Sequence, residues 1–204
     1  MIRRGNPQDV RFLKDMLRHA FYWRSADYLE DTSLWRYVSG WGRRGDTAVV
    51  ALEDGFPVGA AWFRLFTRDE PGFGFVDEQT PEVAISVVPS RRGRGIGSEL
   101  LDELIAVARE QGYGALSLSV ADDSPAMHMF EHQGFEKSDK TDGSWTMRLD
   151  DVLCDVGPGI RYSSPFGLVR LDFAYQVNRL EGLRIDGEPQ TGRWRIQIGV
   201  GHAF

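Results

Sequence analysis

Residues 83–97, VAISVVPSRRGRGIG, decide the fold of this chain. An apolar segment runs into a basic loop with glycines at positions 93, 95 and 97, and a helical pattern, SELLDELIAVAREQG, follows directly. Glycine lets the backbone approach a ligand closely, and the N-terminus of a helix attracts anions. The pattern therefore predicts a strand, a phosphate-binding loop and a helix that ends at Gly112. The buried stripe of this helix is predicted to be Leu100, Leu101, Leu104, Ile105 and Ala108.

Two common phosphate loops do not fit this segment. The dinucleotide pattern G-x-G-x-x-G needs a glycine at position 98, where this chain has Ser98, and no G-K-[ST] follows to form a nucleotide triphosphate loop. The pattern that fits is R-x-x-G-x-G over residues 92–97. It resembles the pyrophosphate loop of the GNAT family of N-acetyltransferases, whose members transfer acetyl from acetyl-CoA to an amine.

A second segment, DDSPAMHMFEHQGF at residues 122–135, carries the same resemblance. It is similar to the family signature N-x-x-A-x-x-[LM]-Y-x-x-x-G-F, although Asp123 replaces the usual Asn and Phe130 replaces the frequent Tyr. The matching positions are Ala126, Met129, Gly134 and Phe135. The resemblance covers about residues 1–149. It implies an α/β fold with a GNAT-type mixed, mainly antiparallel sheet flanked by helices.

The resemblance also implies where acetyl-CoA binds. In this family the pantetheine arm of the cofactor pairs, like an added strand, with the strand that precedes the glycine loop. It splays that strand from its neighbour. We assign this contact to the backbones of Val87 and Val88, and we expect an oxyanion donor at Val88, while the valine side chains are ordinary strand core. The other expected cofactor contacts are Arg92, Gly93, Arg94, Gly95, Ile96, Gly97, Ser98, Asp123 and Phe130. No metal is expected.

Glu82 is the expected general base, acting through water, because the family often has a glutamate near this place. A solvated strand end is the competing interpretation, and a carboxylate is a weak base unless burial raises its pKa. The departing thiolate also needs a proton, which Phe130 cannot supply. His128 and His132 lie nearby in sequence, but we interpret both as surface residues. Another donor or unaided departure of the thiolate is left open.

Acidic residues gather around Glu82 in the sequence. They are Asp69, Glu70, Asp77, Glu78 and Glu82. Such a cluster either draws in a cationic amine or is merely a solvated loop. We leave both interpretations open. At the start of the second motif, Asp123 and Ser124 are expected to act as N-cap residues.

Composition limits the classes of function. With 204 residues and 42% hydrophobic content, the chain supports one full core and a small appendage. A formal charge of −6 argues against a nucleic-acid partner, and the single cysteine, Cys154, suits a reducing compartment. No signal-peptide or membrane-helix pattern is present, so we predict a cytoplasmic protein without a membrane partner. The expected partner is a small-molecule or peptide amine, and self-association into a homodimer is left open.

The remaining elements are predicted from local patterns. They are an edge strand at 1–4, a helix entered at Asn6-Pro7, a helix around 29–41, strands at 47–53 and 58–66 around an Asp54-Gly55 turn, a loop over 67–81 and a strand at 115–121. The resemblance implies that a short helix and one final strand follow.

The tail changes character after Leu149. Two alternating runs, one at 171–177 and one from 194 onward, are typical of a transmembrane β-hairpin. The tail, about residues 157–204, resembles the last strands of the bacterial outer-membrane barrel-assembly and surface-antigen family, including an S-P-x-G motif at 164–167 and the terminal Phe204. Two or three strands cannot close a barrel, so a hairpin that extends or packs on the enzyme competes with this interpretation.

We therefore predict an acetyltransferase domain over 1–150 and a β-hairpin-rich appendage over 151–204. The predicted function is acetyl-CoA-dependent acetylation of a primary amine on an unidentified acceptor. One alternative is a cofactor-binding sensor that has lost catalysis, which the loss of the phenol at Phe130 suggests. Another is a fragment of a barrel-assembly protein fused to an acetyltransferase, by an artificial, accidental or reading-frame join.

Overall fold

The computed structural model describes residues 1–21, 32–141, 143–150 and 152, and the backbone of six strands beyond them. Two compact units make up the chain, Met1–Val152 and Leu153–Phe204. Cys154, Pro165, Phe166 and Phe204 lie outside the described residues, as do the predictions that involve them.

A seven-stranded sheet forms the centre of the first unit. Its strands are β1 (Ile2–Arg4), β2 (Thr47–Glu53), β3 (Phe56–Arg64), β4 (Glu82–Val87), β5 (Leu116–Ala121), β6 (Glu136–Thr141) and β7 (Ser144–Leu149). Their order in the sheet is β1-β2-β3-β4-β5-β7-β6, and only the β4–β5 pair is parallel. The predicted mixed, mainly antiparallel sheet is confirmed.

Helices cover both faces of this sheet. They are α1 (Val10–Phe21), α2 (Thr32–Trp35), α3 (Ile96–Gln111) and α4 (Met127–His132). Trp62 and Phe63 are consecutive on β3 and point to opposite faces, as strand geometry requires. Trp62 packs in the core on the α1 side, and Phe63 packs in the core on the α3 side. The predicted stripe of α3 is buried in the second of these cores, and the helix ends at Gly112, which has a positive φ of 82°.

The start of the chain follows its sequence signals. Asn6 accepts a hydrogen bond from the N–H of Gln8 at 2.8 Å, and Asp9 accepts one from the N–H of Asn6 at 2.7 Å. This reciprocal arrangement is a capping box, and Pro7 opens a short 3-10 turn that leads into α1. The predicted helix entry at Asn6-Pro7 is confirmed.

The second helix is shorter than predicted. In place of a helix over 29–41, α2 has four residues and is followed by turns to Gly40, while residues 22–31 are outside the described part. The carbonyls of Arg36 and Ser39 accept hydrogen bonds from the guanidinium of Arg64. A helix would direct these carbonyls along its own axis, so the side chain on β3 competes with helical bonding here.

The β2–β3 hairpin and the predicted final strand have different outcomes. The β2–β3 hairpin is confirmed, with both turn residues in the left-handed region, Asp54 at φ 52° and Gly55 at φ 83°. The prediction of one final strand is wrong, because a second tight turn at Gly143 makes β6 and β7 a hairpin. Every residue of β6 is exposed and polar or charged, so this edge strand has no apolar alternation to announce it.

The second unit is described by its strand backbones alone. They are β8 (Asp155–Val156), β9 (Gly159–Ser164), β10 (Gly167–Gln176), β11 (Arg184–Ile185), β12 (Glu188–Pro189) and β13 (Trp194–Gly201). The two alternating runs pair antiparallel, β10 with β13, from Leu168 opposite Gly201 to Tyr175 opposite Trp194. Within the described residues, no helix combines the length and apolar character needed to cross a membrane.

Candidate active site

Strands β4 and β5 diverge soon after they begin. Their parallel register contains one pair, Glu82 opposite Ser117, next to a hydrogen bond of 3.0 Å from the N–H of Ser117 to the carbonyl of Pro81. By contrast, β5 and β7 pair over six consecutive positions. The splay that the resemblance implied is therefore present, since beyond this pair β4 and β5 are no longer paired and an opening lies between them.

The hydrogen-bonding phase of β4 decides which residues face this opening. The N–H of Val88 donates to the carbonyl of Val58 at 2.9 Å, so Val88 is bonded toward β3. Paired residues in an antiparallel ladder alternate between bonding to each other and facing away. Val87 and Ile85 therefore direct their backbone groups toward the cleft. The carbonyl of Val87 accepts a hydrogen bond from Nε of Arg92 at 3.0 Å.

The glycine loop lies between β4 and α3. Gly93 and Gly95 have φ values of 72° and 83°, and a Cβ added to either would have no atom within 4 Å. Gly95 is the cap of α3, so the N–H groups of the next three residues have no acceptor within the helix. Those residues are Ile96, Gly97 and Ser98. The open space, the N–H groups without a helical acceptor and the helix dipole fit an anionic phosphate group.

Three arginines surround this loop. Arg91 donates to the carboxylate of Glu53 at the end of β2, and Arg94 lies 3.7 Å from the other oxygen of the same carboxylate. Arg92 donates to Val87 and, at 3.3 Å, to the carbonyl of His19 in α1. The contribution of Arg91 and Glu53 was missed by the sequence prediction. Glu53 belongs to a hairpin far from the motif in sequence, and only the β2–β3 pairing could have placed it nearby.

Glu82 is buried on the face of the sheet that α1 covers. Its side chain is 2% exposed, so the interpretation as a solvated strand end is wrong. Its Oε1 accepts hydrogen bonds from the Tyr37 hydroxyl and, at 2.8 Å, from the N–H of Gly74. Asp69, Glu70 and Glu78 are exposed, and Asp77 accepts hydrogen bonds from the next turn of its loop.

The loop over Glu82 makes unusually close contacts. A Cβ added to Gly72 would lie 2.0 Å from Oε2 of Glu82, and one added to Gly74 would lie 2.4 Å from the backbone of Leu118 in β5. Real Cβ atoms do not approach this closely, so residues 72–74 lie directly on Glu82 and on the beginning of the splay. The sequence prediction recognised these residues only as loop.

The second motif lies beside α3. Phe130 is buried, with its ring 6.0 Å from that of Phe135 in an edge-on arrangement. Asp123 is exposed, and the Ser124 hydroxyl accepts a hydrogen bond from the N–H of Ala126 at 3.3 Å. The N-cap of α4 is Ala126 and has no side-chain cap, so the predicted N-cap role of Asp123 and Ser124 is wrong. His128 is 94% exposed, which agrees with its interpretation as a surface residue. His132 is exposed as well.

Glu131 is the acidic residue beside His128. Glu131 contacts both His128 and Lys137, and the hydrogen bond from Lys137 lowers the pKa of the Glu131 carboxyl.

In the described part of the chain, no group of three or more His, Cys, Asp or Glu side chains is placed to hold a metal ion.

Comparison with known proteins agrees with this geometry. A model of the acetyltransferase (GNAT) family matches residues 10–135. Comparison with curated protein sequences finds no match. The chain resembles the ribosomal-protein-alanine N-acetyltransferase of Brucella melitensis, with 24% identity and a TM-score of 0.54, over 74% of this chain and 99% of that one.

Two further solved structures show the same fold with the cofactor present. The protein yncA from Salmonella typhimurium, solved with acetyl-CoA, has 19% identity and a TM-score of 0.59, over 78% of this chain and 96% of that one. The paia N-acetyltransferase from Thermoplasma acidophilum, solved with coenzyme A, has 16% identity and a TM-score of 0.55, over 74% and 98% of the two chains.

The chain belongs to the GNAT family of acetyltransferases. It is an N-acetyltransferase whose acetyl donor is acetyl-CoA.

Proposed function

We propose that the cleft between β4 and β5 holds acetyl-CoA, with its pyrophosphate on residues 92–97 and its pantetheine arm along β4. The observation that carries this proposal is the position of the splay, which opens beside a helix N-terminus that is preceded by two glycines of positive φ. Arg92 and Arg94 supply positive charge at the loop. The first positions of α3 supply N–H groups.

Backbone N–H groups of β4 stabilise the negative charge that develops on the thioester oxygen. Because Val88 is bonded to β3, we propose Val87 or Ile85 as this donor in its place. The amine forms a C–N bond with the acetyl carbon, the C–S bond breaks, and the thiolate leaves with the electron pair. The amine loses one proton and the thiolate gains one. Phe130 has no proton to donate, so solvent supplies the proton that the thiolate gains.

Glu82 is the proposed acceptor of the amine proton, through water. The hydroxyls of Ser86 and Ser117 support a water route, since both are buried and have no hydrogen-bond partner among the described residues. Ser117 is opposite Glu82 in the β4–β5 register, and Ser86 is on the same face of β4. Buried polar groups of this kind are commonly satisfied by ordered water.

The proposed acceptor is a primary amine on a small molecule or a peptide, and the proposed location is the cytoplasm, which the single cysteine supports. The proposal uses no residue of the tail. Its resemblance to outer-membrane barrel strands rests on the amino-acid sequence alone, and the family match ends at residue 135.

Release of free thiol from acetyl-CoA tests the function across four classes of acceptor: polyamines, aminoglycosides, amino acids and peptide N-termini. We expect thiol release above the hydrolysis background for at least one class, and its loss when the loop glycine Gly95 is replaced. If acetyl-CoA binds but no class gives turnover, the sensor interpretation replaces the enzyme. Membrane fractionation of the full chain tests the barrel interpretation separately.

A further inference from the structure

Tyr37 is tied to the proposed proton acceptor by a buried network. Its side chain is 1% exposed, its hydroxyl donates to Oε1 of Glu82, and the same hydroxyl oxygen accepts a hydrogen bond from the N–H of Phe73 at 2.8 Å. The N–H of Gly74 donates to the same carboxylate oxygen. The hydroxyl therefore links the exit of α2, the loop over the site and β4 in one chain of hydrogen bonds.

Ring contacts fix the position of this hydroxyl. The Tyr37 ring stacks on Phe73 with centroids 6.0 Å apart and an interplanar angle of 17°, and it meets Phe66 edge-on at 5.0 Å. The neighbouring Arg36 donates to the carbonyl of Pro71, which ties the same loop a second time. A side chain held in this way presents its hydroxyl in one place without losing further conformational entropy.

Few other ionisable groups face Glu82 from the described elements. On β3 the register partner is Arg64, whose guanidinium is already engaged with Asp46, and on β5 it is Ser117. The residues that α1 buries are Leu13, Met16 and Leu17, and none of them is ionisable. The loop contributes Gly72 and Gly74. The Tyr37 phenol is a titratable group that donates directly to the carboxylate.

We propose that Tyr37 is a positioning residue, which holds Glu82 ionised and oriented as the proton acceptor. This inference rests on the proposed role of Glu82. A hydrogen bond donated to a carboxylate favours its charged form, and burial alone would favour the neutral form. Without the phenol, Glu82 should become protonated at a higher pH, and the pH below which the enzyme loses activity should rise with it.

Titration of the Glu82 carboxyl tests the proposal directly. In the full chain labelled with ¹³C-glutamate, the Glu82 signal is identified by its absence in Glu82→Gln and followed against pH. For Tyr37→Phe we expect the midpoint to rise by roughly one pH unit, the size expected for a lost hydrogen bond to a charged group. The acid limb of kcat/KM, measured with the amine found by thiol release, should move by the same amount.

Tyr113→Phe is the matched control. Tyr113 is partly buried and meets Phe63 edge-on at 5.3 Å, and burial raises the pKa of its phenol, but it packs on the α3 side of the sheet. Its loss should leave the Glu82 midpoint unchanged. Unfolding temperature and acetyl-CoA affinity of each variant show whether it is folded.

The outcomes separate the two proposals. An unchanged midpoint in a folded Tyr37→Phe protein, or a shift equal to that of the control, overturns the role of Tyr37. A shifted midpoint without a shift of the acid limb overturns it as well, since the carboxyl would then be tuned but not used. Wild-type turnover in Glu82→Gln removes the proposed base, and the role of Tyr37 falls with it.

Discussion

Arg64 and Asp46 form a bidentate ion pair beneath the candidate active site, with side chains 1% and 2% exposed. Nε of Arg64 donates to Oδ1 of Asp46 at 2.8 Å, and Nη2 donates to Oδ2 at 2.6 Å. The third nitrogen donates to two carbonyls after α2, and Asp46 also accepts from the N–H groups of Gly42 and Arg43. The pair therefore anchors the segment that carries Tyr37.

Removal of Asp46 from its ion pair with Arg64 should destabilise the fold. Asp46→Ala leaves the Arg64 guanidinium buried without its carboxylate, and we expect a loss of about 3–5 kcal/mol in the free energy of unfolding. Denaturant titration measures this difference. The matched control is Glu110→Ala, which removes the exposed partner of Arg4 and should change stability by about 0.5 kcal/mol or less. Similar values for the two variants would show that the pair does not anchor the fold.

Asp9 should make stability depend on acid pH. The hydrogen bond from Arg3, at 2.7 Å, lowers the pKa of the Asp9 carboxyl, and the N–H of Asn6 adds to this effect. A lowered pKa in the folded state means that Asp9 stabilises the protein above the pKa of the unfolded chain, near 3.8. That contribution disappears as the pH falls through the folded-state value.

Asp9→Asn is the test of this dependence. The variant should lose about 1–2 kcal/mol at pH 7, because the charged pair and half of the capping box are weakened. The difference from wild type should shrink as the pH is lowered below 4. Denaturant titrations at several pH values measure it, and a difference that is constant with pH would contradict the assignment.

Phe130→Tyr addresses the missing proton donor. If thiolate departure limits turnover, the new phenol should raise kcat, by up to about 10²-fold, the lower end for general acid catalysis. The thiol-release assay measures this. No gain with intact cofactor binding would mean that the thiolate leaves unaided or that another group protonates it. Since Phe130 is buried against Phe135, the unfolding temperature must be measured alongside.

The boundary of the enzyme unit should fall at Val152 and not at residue 150. Val152 is 1% exposed, its N–H donates to the carbonyl of Gly114 at 3.1 Å, and its carbonyl accepts from Nε of Arg109 at 2.7 Å. A chain of residues 1–152 should keep acetyl-CoA binding. A chain of residues 1–150 should be less stable by about 2 kcal/mol, the value of burying a valine side chain.

This comparison also tests whether the tail is needed. We expect the specific activity of residues 1–152 to equal that of the full chain at the same folded concentration. A folded short chain without turnover would make the tail an integral part of the enzyme.

The strand, glycine loop and helix were predictable because their signals are local. The stripe from Leu100 to Ala108 repeats at helical spacing, and the glycines stand in the loop itself. The Asp54-Gly55 turn is equally local. Edge strand β6 was missed because a fully exposed strand has no apolar face, and the length of α2 depends on Arg64, which lies more than twenty residues further along the chain.

The surroundings of Glu82 could not be predicted for a similar reason. Tyr37 and Gly74 come from segments on either side of β3, and only the packed fold brings them to one carboxylate oxygen. The phase of β4 is also a tertiary property. It is set by pairing with β3. Because the N–H of Val88 is bonded to β3, the cleft is faced by Val87 and Ile85 and not by Val88 as expected.

Calorimetry of acetyl-CoA binding to Gly95→Val tests the central claim most directly. A side chain at Gly95 would fill the open space proposed for the pyrophosphate, so we expect affinity to fall at least tenfold, about 1.4 kcal/mol. Gly143→Val is the control, since Gly143 also has a positive φ, 77°, and open space around it, but lies in the β6–β7 turn. Its affinity should match wild type. Unchanged affinity in a folded Gly95→Val protein, or an equal loss in both variants, would contradict the assignment of this loop as the cofactor site.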